Sequence, residues 1–352
     1  MPRGSAVYIT PPRLARFPRP DDPLEYSSRS VLLVGDGRRL LRAWGSPEAP
    51  WVLAVEPEGS RWRVEGPGIP PAQLRAAARA FLSLDHPLEE FYRRVRRDPV
   101  LRGTERRFRG VRLPRDPHPY ESLVHSIIGQ QISVGAAAAI KRRLLEQGSI
   151  RLEYDGLTIP HLPTPAELRR RGVDGLRSVG LSAAKARALL ALTEGQNLAR
   201  LERTDWASRP LGEAVEALVE LPGVGRWTAE NVLLRSAGRI DVFVAGDLGL
   251  RVALERYGAL PRSAPESDAR AWADHWYPGW GSYATFYLWR RLTEDRLRGA
   301  AREPRGAGAG GSPPSGSANS RRGSPPGPGR RPVRGPATEG GGRASRAGSG
   351  RR

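Results

Sequence analysis

Five residues, Leu221-Pro222-Gly223-Val224-Gly225, separate two apolar-periodic stretches and dictate how the chain must turn there. LGEAVEALVEL (211–221) repeats apolar residues at helical spacing, as do Trp227, Ala229, Val232, Leu233 and Ala237 after the turn. Pro222 with two glycines stops the first helix and reverses the chain at once. Gly238 reads as the C-cap of the second helix. The two helices must then lie as a hairpin. Gly223 and Gly225 let a ligand come close to the backbone. The unsatisfied N–H groups that open the second helix attract a phosphate, aided by the helix dipole. Thr228 offers a hydroxyl beside them.

IDVFVAGD (240–247) follows: an apolar run, Ala-Gly, then a carboxylate twenty residues after Trp227. LGLRVALERYG (248–258) reads as the next helix, with Asp247 as its N-cap. Position alone asks no more of Asp247 than capping. A helix N-terminus also favours an ionised carboxylate, which can stabilise a developing cation. Asp241, inside the apolar run, reads as structural.

The turn, its helices and the spaced carboxylate together resemble the helix-hairpin-helix DNA glycosylase superfamily. The resemblance implies that Pro222, Gly223, Val224, Gly225 and Thr228 grip the DNA backbone without reading sequence, and that Asp247 is the catalytic carboxylate. Members with lyase activity carry a Lys two residues after the last hairpin glycine, which attacks C1′ covalently. This chain has Trp227 there, and its two lysines, Lys141 and Lys185, lie elsewhere. A monofunctional hydrolase that leaves an abasic site is therefore implied. The chain has no cysteine, which excludes the iron–sulfur branch. Trp at this position resembles the alkylation-repair, 3-methyladenine II branch.

Further stretches carry the same resemblance. HPYESLVHSIIGQQISVGAAAAIKRRLLEQ (118–147) reads as two packed helices. Its Gln130-Gln131 matches a family loop that contacts DNA, with Gln131 in the position that fills the gap left by the flipped nucleotide. LPTPAELRRRGVDGLRSVGLSAAKARALLAL (162–192) resembles the next two helices, with Thr164-Pro165 and Ser182 as helix starts. Lys185 and Arg187 there read as either solvated-face charges, the favoured reading, or phosphate contacts. WADHWYPGWGSYATFYLWRR (272–291) resembles the closing helix: Trp272 and Trp276 read as core, and Trp289 matches a base-pocket position. Asn231 and Leu248 occupy pocket positions that are aromatic in some members. Pro278-Gly279-Trp280-Gly281 is one residue longer than the family's equivalent and lacks its Arg. The implied pocket is thus Trp227, Trp289, Asn231 and Leu248. An indole over a cationic alkylated purine contributes on the order of 0.5–2 kcal/mol.

Residues 28–66 contain β-like runs (SVLLVG, LLRAW, WVLAVE, RWRVEG) with turns at Gly35-Asp36-Gly37 and Pro57-Glu58-Gly59, which suggests an antiparallel sheet. AQLRAAARAFLSL (72–84) and PLEEFYRRVRR (87–97) read as helices. The expected fold is mainly α with an N-terminal α+β domain: a small antiparallel sheet plus two helical subdomains with a cleft. The expected organisation is an extension over 1–25, the α+β domain over 26–108, a helical glycosylase domain over 109–298 with the hairpin at 211–238, and a disordered basic tail over 299–352.

Net charge is +20 over 352 residues, and residues 300–352 alone hold 11 Arg against 2 Glu, so tail and body both suit a polyanion. The expected partner is damaged double-stranded DNA, bound by a monomer. The sequence has no 18-residue apolar run and its start shows no signal-peptide core, so a cytoplasmic, nucleoid-associated bacterial protein is expected. No cofactor is expected. The family implies at most a Na or K ion at the carbonyls of Leu221 and Val224. The expected reaction is excision of alkylated purines of the 3-methyladenine class. A glycosylase for hypoxanthine or an oxidised base, and a non-catalytic damage sensor, stay open as alternatives.

Overall fold

The computed structural model describes residues 6–18, 33–35, 38–148 and 150–302, all within one compact unit. Residues 36–37 of the first expected turn, residues 1–5 and 19–25 of the expected N-terminal extension, and the tail from 303 onward lie outside the described residues.

Five antiparallel strands form a sheet: β1 (Val7–Ile9), β2 (Leu33–Gly35), β3 (Leu40–Gly45), β4 (Pro50–Glu58) and β5 (Arg61–Glu65), in the order β1-β5-β4-β3-β2. β1 lies inside the stretch expected to be an extension. It pairs with β5 through Val7, Tyr8 and Ile9, and buries Val7 and Ile9. The second turn begins two residues later than expected, because β4 continues through Glu58 and Gly59 supplies the left-handed residue (φ +60°).

Both faces of the sheet are covered, which explains apolar runs such as WVLAV. On one face Leu40, Leu53, Val55, Trp62 and Val64 pack against Leu74, Ala77, Ala78 and Phe81 of helix α1 (Pro71–Phe81). On the other, Leu41, Ala43, Val52 and Ala54 pack against a hairpin not foreseen from the sequence, β6 (Leu152–Tyr154) and β7 (Leu157–Ile159). Its strands are three residues each, and Asp155-Gly156 supplies two left-handed turn residues.

Helix α2 (Leu88–Val95) departs from the expected division near residue 108. Phe91 and Tyr92 join the main helical core beside Tyr283 and Tyr287, whereas α1 stays with the sheet. A short helix α3 (Thr104–Arg107) follows, then α4 (Pro119–Gly129) and α5 (Val134–Glu146), the two packed helices expected over 118–147. Arg42 of β3, 4% exposed, reaches Asp116 (3.3 Å) and Glu121 of α4, an ionic strut between sheet and helices.

Helix α6 (Pro165–Ser178) starts with the Thr164 capping box, Glu167 N to Thr164 Oγ1 at 3.2 Å and Thr164 N to Glu167 Oε2 at 2.7 Å, and breaks at Gly172. α7 (Ala183–Leu192) is capped by Ser182, as expected. α8 (Gly195–Arg203) was not foreseen; an apolar stripe thinned by Gln, Asn and Arg hides it. The hairpin helices are α9 (Leu211–Val219) and α10 (Arg226–Arg235), followed by α11 (Leu248–Arg256). The expected closing helix is two helices, α12 (Glu266–Trp276) and α13 (Gly281–Arg302). Pro278-Gly279 interrupts them, with Gly279 at φ +75°. Among the described residues no helix is long and apolar enough to cross a membrane.

Candidate active site around Asp247

The hairpin turn is held from three sides. Gly223 has φ +77°, and a Cβ there would lie 2.5 Å from Ala188 Cβ of α7. Its lack of a side chain therefore serves the turn and the packing against α7. Gly225 differs: it caps α10 with φ −91°, and a Cβ added there meets nothing within 4 Å. This is the glycine that leaves room for an approaching ligand at the N–H groups of α10. Pro222 is exposed, while Val224 is buried in the helical core, so Val224 offers only its backbone to a ligand.

Three sequence expectations change here. Thr228 is 2% exposed and its Oγ1 accepts a hydrogen bond from Gln130 Nε2 at 2.9 Å, so the hydroxyl braces a loop inside the protein rather than facing a phosphate. Lys185 is not a solvated charge: its Nζ donates to the carbonyls of Ile128 (2.9 Å) and Gln130 (2.6 Å) at the end of α4. Burial pushes its pKa down. Gly238, expected as the C-cap of α10, comes two residues after the observed cap, Ser236. It is left-handed (φ +68°), and its carbonyl bonds to His86 Nε2 at 3.1 Å.

Gln130 also donates to Gly223 O at 3.0 Å, tying its loop to the hairpin. Gln131 is exposed and has φ +55°, a conformation non-glycine residues seldom adopt. Arg187 is exposed, as expected.

The segment 240–246 is irregular, bending at 240–241 and turning at 245–246, and pairs with no strand. Its polar backbone is satisfied by neighbouring helices. Ser282 N donates to Ile240 O (2.9 Å), Val242 N to Ser282 Oγ (3.1 Å), Val244 N to Thr285 Oγ1 (3.3 Å), and Arg270 to Phe243 O (3.1 Å). Gly281 makes the seam possible, because a Cβ there would fall 2.8 Å from Phe243 N. Asp241 pairs with Arg239 (2.9 Å), a structural role as expected.

This seam delivers Asp247 to the start of α11. Asp247 Oδ1 accepts from Leu250 N at 2.8 Å, the cap expected from the sequence, and from Trp289 Nε1 of α13 at 2.8 Å. Oδ2 accepts from Trp227 Nε1 of α10 at 3.0 Å. Three helices thus fix one carboxylate. A carboxylate offers about four acceptor positions. Oδ1 has both of its own filled, and Oδ2 keeps one for an incoming group.

Trp227 and Trp289 are therefore brought to Asp247 by their N–H edges. One face of Trp289 already lies under the guanidinium of Arg235, 5.6 Å from the ring centroid. Asn231, expected in the pocket, is 6% exposed and its Nδ2 donates to the Trp227 carbonyl at 2.9 Å. It sits one helical turn after Trp227, and such short amides bond readily to the preceding turn. Leu248, also expected in the pocket, is 68% exposed. Trp272 and Trp276 pack against the helical core, as expected.

A hairpin that presents bare backbone N–H groups, followed by a fixed carboxylate beside indoles, defines a class of protein that binds a phosphate backbone and stabilises a cation next to it. Residues 124–278 match the model of the HhH-GPD superfamily of base excision DNA repair proteins. The DNA-3-methyladenine glycosylase of Bacillus subtilis (strain 168) is 27% identical over 212 residues, 60% of this chain and 70% of that protein. DNA-3-methyladenine glycosylase 1 of Schizosaccharomyces pombe is 30% identical over 49% of this chain and 72% of its own length. Other curated relatives are matched over as little as 42% of their length. Among solved structures, the 3-methyladenine DNA glycosylase of Archaeoglobus fulgidus superposes with a TM-score of 0.68 at 28% identity, covering 83% of this chain and 98% of that one. The chain belongs to the HhH-GPD superfamily and is of its 3-methyladenine glycosylase type, an enzyme that hydrolyses N-glycosyl bonds.

Proposed function

We propose that this protein excises alkylated purines from duplex DNA by a monofunctional, hydrolytic route, leaving an abasic site. The observation that carries the proposal is the Asp247 carboxylate, held by two indole N–H groups and a helix N-terminus, with Trp227 where a Schiff-base lysine would stand.

The hairpin N–H groups at Gly225 take a backbone phosphate, and Gln131 enters the stack as the nucleotide leaves it. Flipping costs a few kcal/mol, less for a damaged base. Asp247 Oδ2 faces the deoxyribose, and as the glycosidic bond lengthens it stabilises the positive charge at C1′. A unit charge pair at about 4 Å is worth about 4 kcal/mol at an effective dielectric of 20. An alkylated purine is already a good leaving group, so no strong general acid is required. Water then adds to C1′, the proton of that water is lost to solvent, and the base leaves with the bonding pair.

The names of the relatives support 3-methyladenine as the substrate class. The Arg235 guanidinium on Trp289 leaves one ring face for a base, which supports a pocket that holds the lesion by shape as much as by cation–π attraction. The test is release of free base from methylated duplex DNA, followed by borohydride treatment. Release of 3-methyladenine without a trapped protein–DNA adduct is the expected result. A trapped adduct would contradict the hydrolytic route, and failure to release any methylated purine would contradict the substrate class.

A further inference from the structure

Lys185 lies on α7, yet it is bonded to the end of α4 and, through Gln130, linked to the hairpin. Its ammonium donates to Ile128 O at 2.9 Å and Gln130 O at 2.6 Å, the last carbonyls at the C-terminus of α4. A cation is favoured there by the helix dipole, and it satisfies carbonyls that have no partner within the helix. The same Gln130 donates through its side chain to Gly223 O (3.0 Å) and Thr228 Oγ1 (2.9 Å) of the hairpin. Gly223 in turn is pressed against Ala188, three residues after Lys185 on α7. The next residue after this doubly fixed Gln130 is Gln131, exposed and left-handed at φ +55°. A non-glycine residue holds that conformation only where its surroundings fix it.

We propose that Lys185 is a positioning residue that holds Gln131 in its strained, outward conformation and in register with the hairpin, so that the chain can open duplex DNA. This rests on the glycosylase reading above. Lys185 touches no reacting atom. Without its charge the carbonyls of Ile128 and Gln130 lose their donor, the α4–α5 loop relaxes, and Gln131 no longer meets the stack when the hairpin meets the phosphate.

The experiment compares base release from methylated duplex and methylated single-stranded DNA of the same sequence, for the wild-type chain, K185M, K185R, Q131A and the K185M/Q131A double variant. Single-stranded DNA needs no nucleotide expelled from a paired stack, so it reports folding and chemistry without the wedge. The duplex-to-single-strand ratio of kcat/KM is expected to fall about tenfold in K185M, the size set by losing hydrogen bonds to a charged group. Q131A is expected to lower the ratio similarly, the double variant no further than Q131A alone, and K185R to recover most of it. An unchanged ratio in K185M, or additive effects in the double variant, would overturn the inference. If K185M folds poorly, both substrates fall together, and the neutral but milder K185Q takes its place, with the same expected fall in the ratio and an unchanged ratio again overturning the inference. A wild-type chain that releases no base from either substrate would instead refute the glycosylase reading itself.

Discussion

The two hairpin glycines should fail in opposite ways when each is replaced by alanine. At Gly223 a Cβ must adopt φ +77° and lie 2.5 Å from Ala188 Cβ, a contact that can be relieved only by moving the turn away from α7. The left-handed conformation costs roughly 1–2 kcal/mol, and forcing a methyl into a packed contact costs about 1–3 kcal/mol. Gly223→Ala should thus lose about 2–5 kcal/mol of stability, read as a drop in the urea midpoint at constant m-value. At Gly225 φ is −91° and the Cβ meets open space, so the folding cost is that of a poorer N-cap, about 0.5–1 kcal/mol. That methyl nonetheless projects where a phosphate must approach, so Gly225→Ala should weaken binding to undamaged duplex DNA severalfold at fixed salt. Urea melts and fluorescence anisotropy on the two variants together make the test. Equal destabilisation by both substitutions, or normal DNA affinity in a folded Gly225→Ala, would refute this division of roles.

Trp227→Phe and Trp289→Phe each remove one N–H from the Asp247 carboxylate. Each should lower the single-turnover rate about 10- to 100-fold, the worth of one hydrogen bond to a charged group, with DNA affinity unchanged; gel-shift and rate measurements check both. His86 is held at a pKa of about 4 by burial and then by Arg115 and Arg112, and His118 at about 4 by burial. The unfolded chain takes up these protons near 6.5, so stability is complete above pH 6.5 and falls as the pH drops toward 4, with a slope of up to roughly two protons. Urea melts across that range test it. His118→Asn should remove about one proton from the slope while keeping a side-chain acceptor for Tyr120 N. A pH-independent midpoint between 6.5 and 4 would refute this.

The parts of the molecule written in local patterns were readable from the sequence. The hairpin, the cap at Asp247, the Thr164 and Ser182 helix starts and the four later strands all follow from short-range rules of periodicity, capping and turn chemistry. What was not readable depends on contacts between distant segments. Lys185 looks like any surface lysine until α4 ends beside it. Thr228 and Asn231 look like ligand-facing residues until Gln130 and the Trp227 carbonyl take their polar groups. The β6–β7 hairpin is too short to announce itself, and β1 is a strand only because β5 lies next to it. At the candidate site the sequence pointed to Trp227, Trp289 and Asp247, and the structure adds that the indoles meet the carboxylate edge-on.

Whether the Asp247 carboxylate drives base release is decided by comparing wild type with Asp247→Asn on methylated duplex DNA. Asparagine caps α11 as well as aspartate does, so folding and DNA binding should persist. Loss of the charge should cost about 3–4 kcal/mol of transition-state stabilisation, roughly 10²- to 10³-fold in rate. A folded, DNA-binding Asp247→Asn variant that releases 3-methyladenine at the wild-type rate would contradict the account.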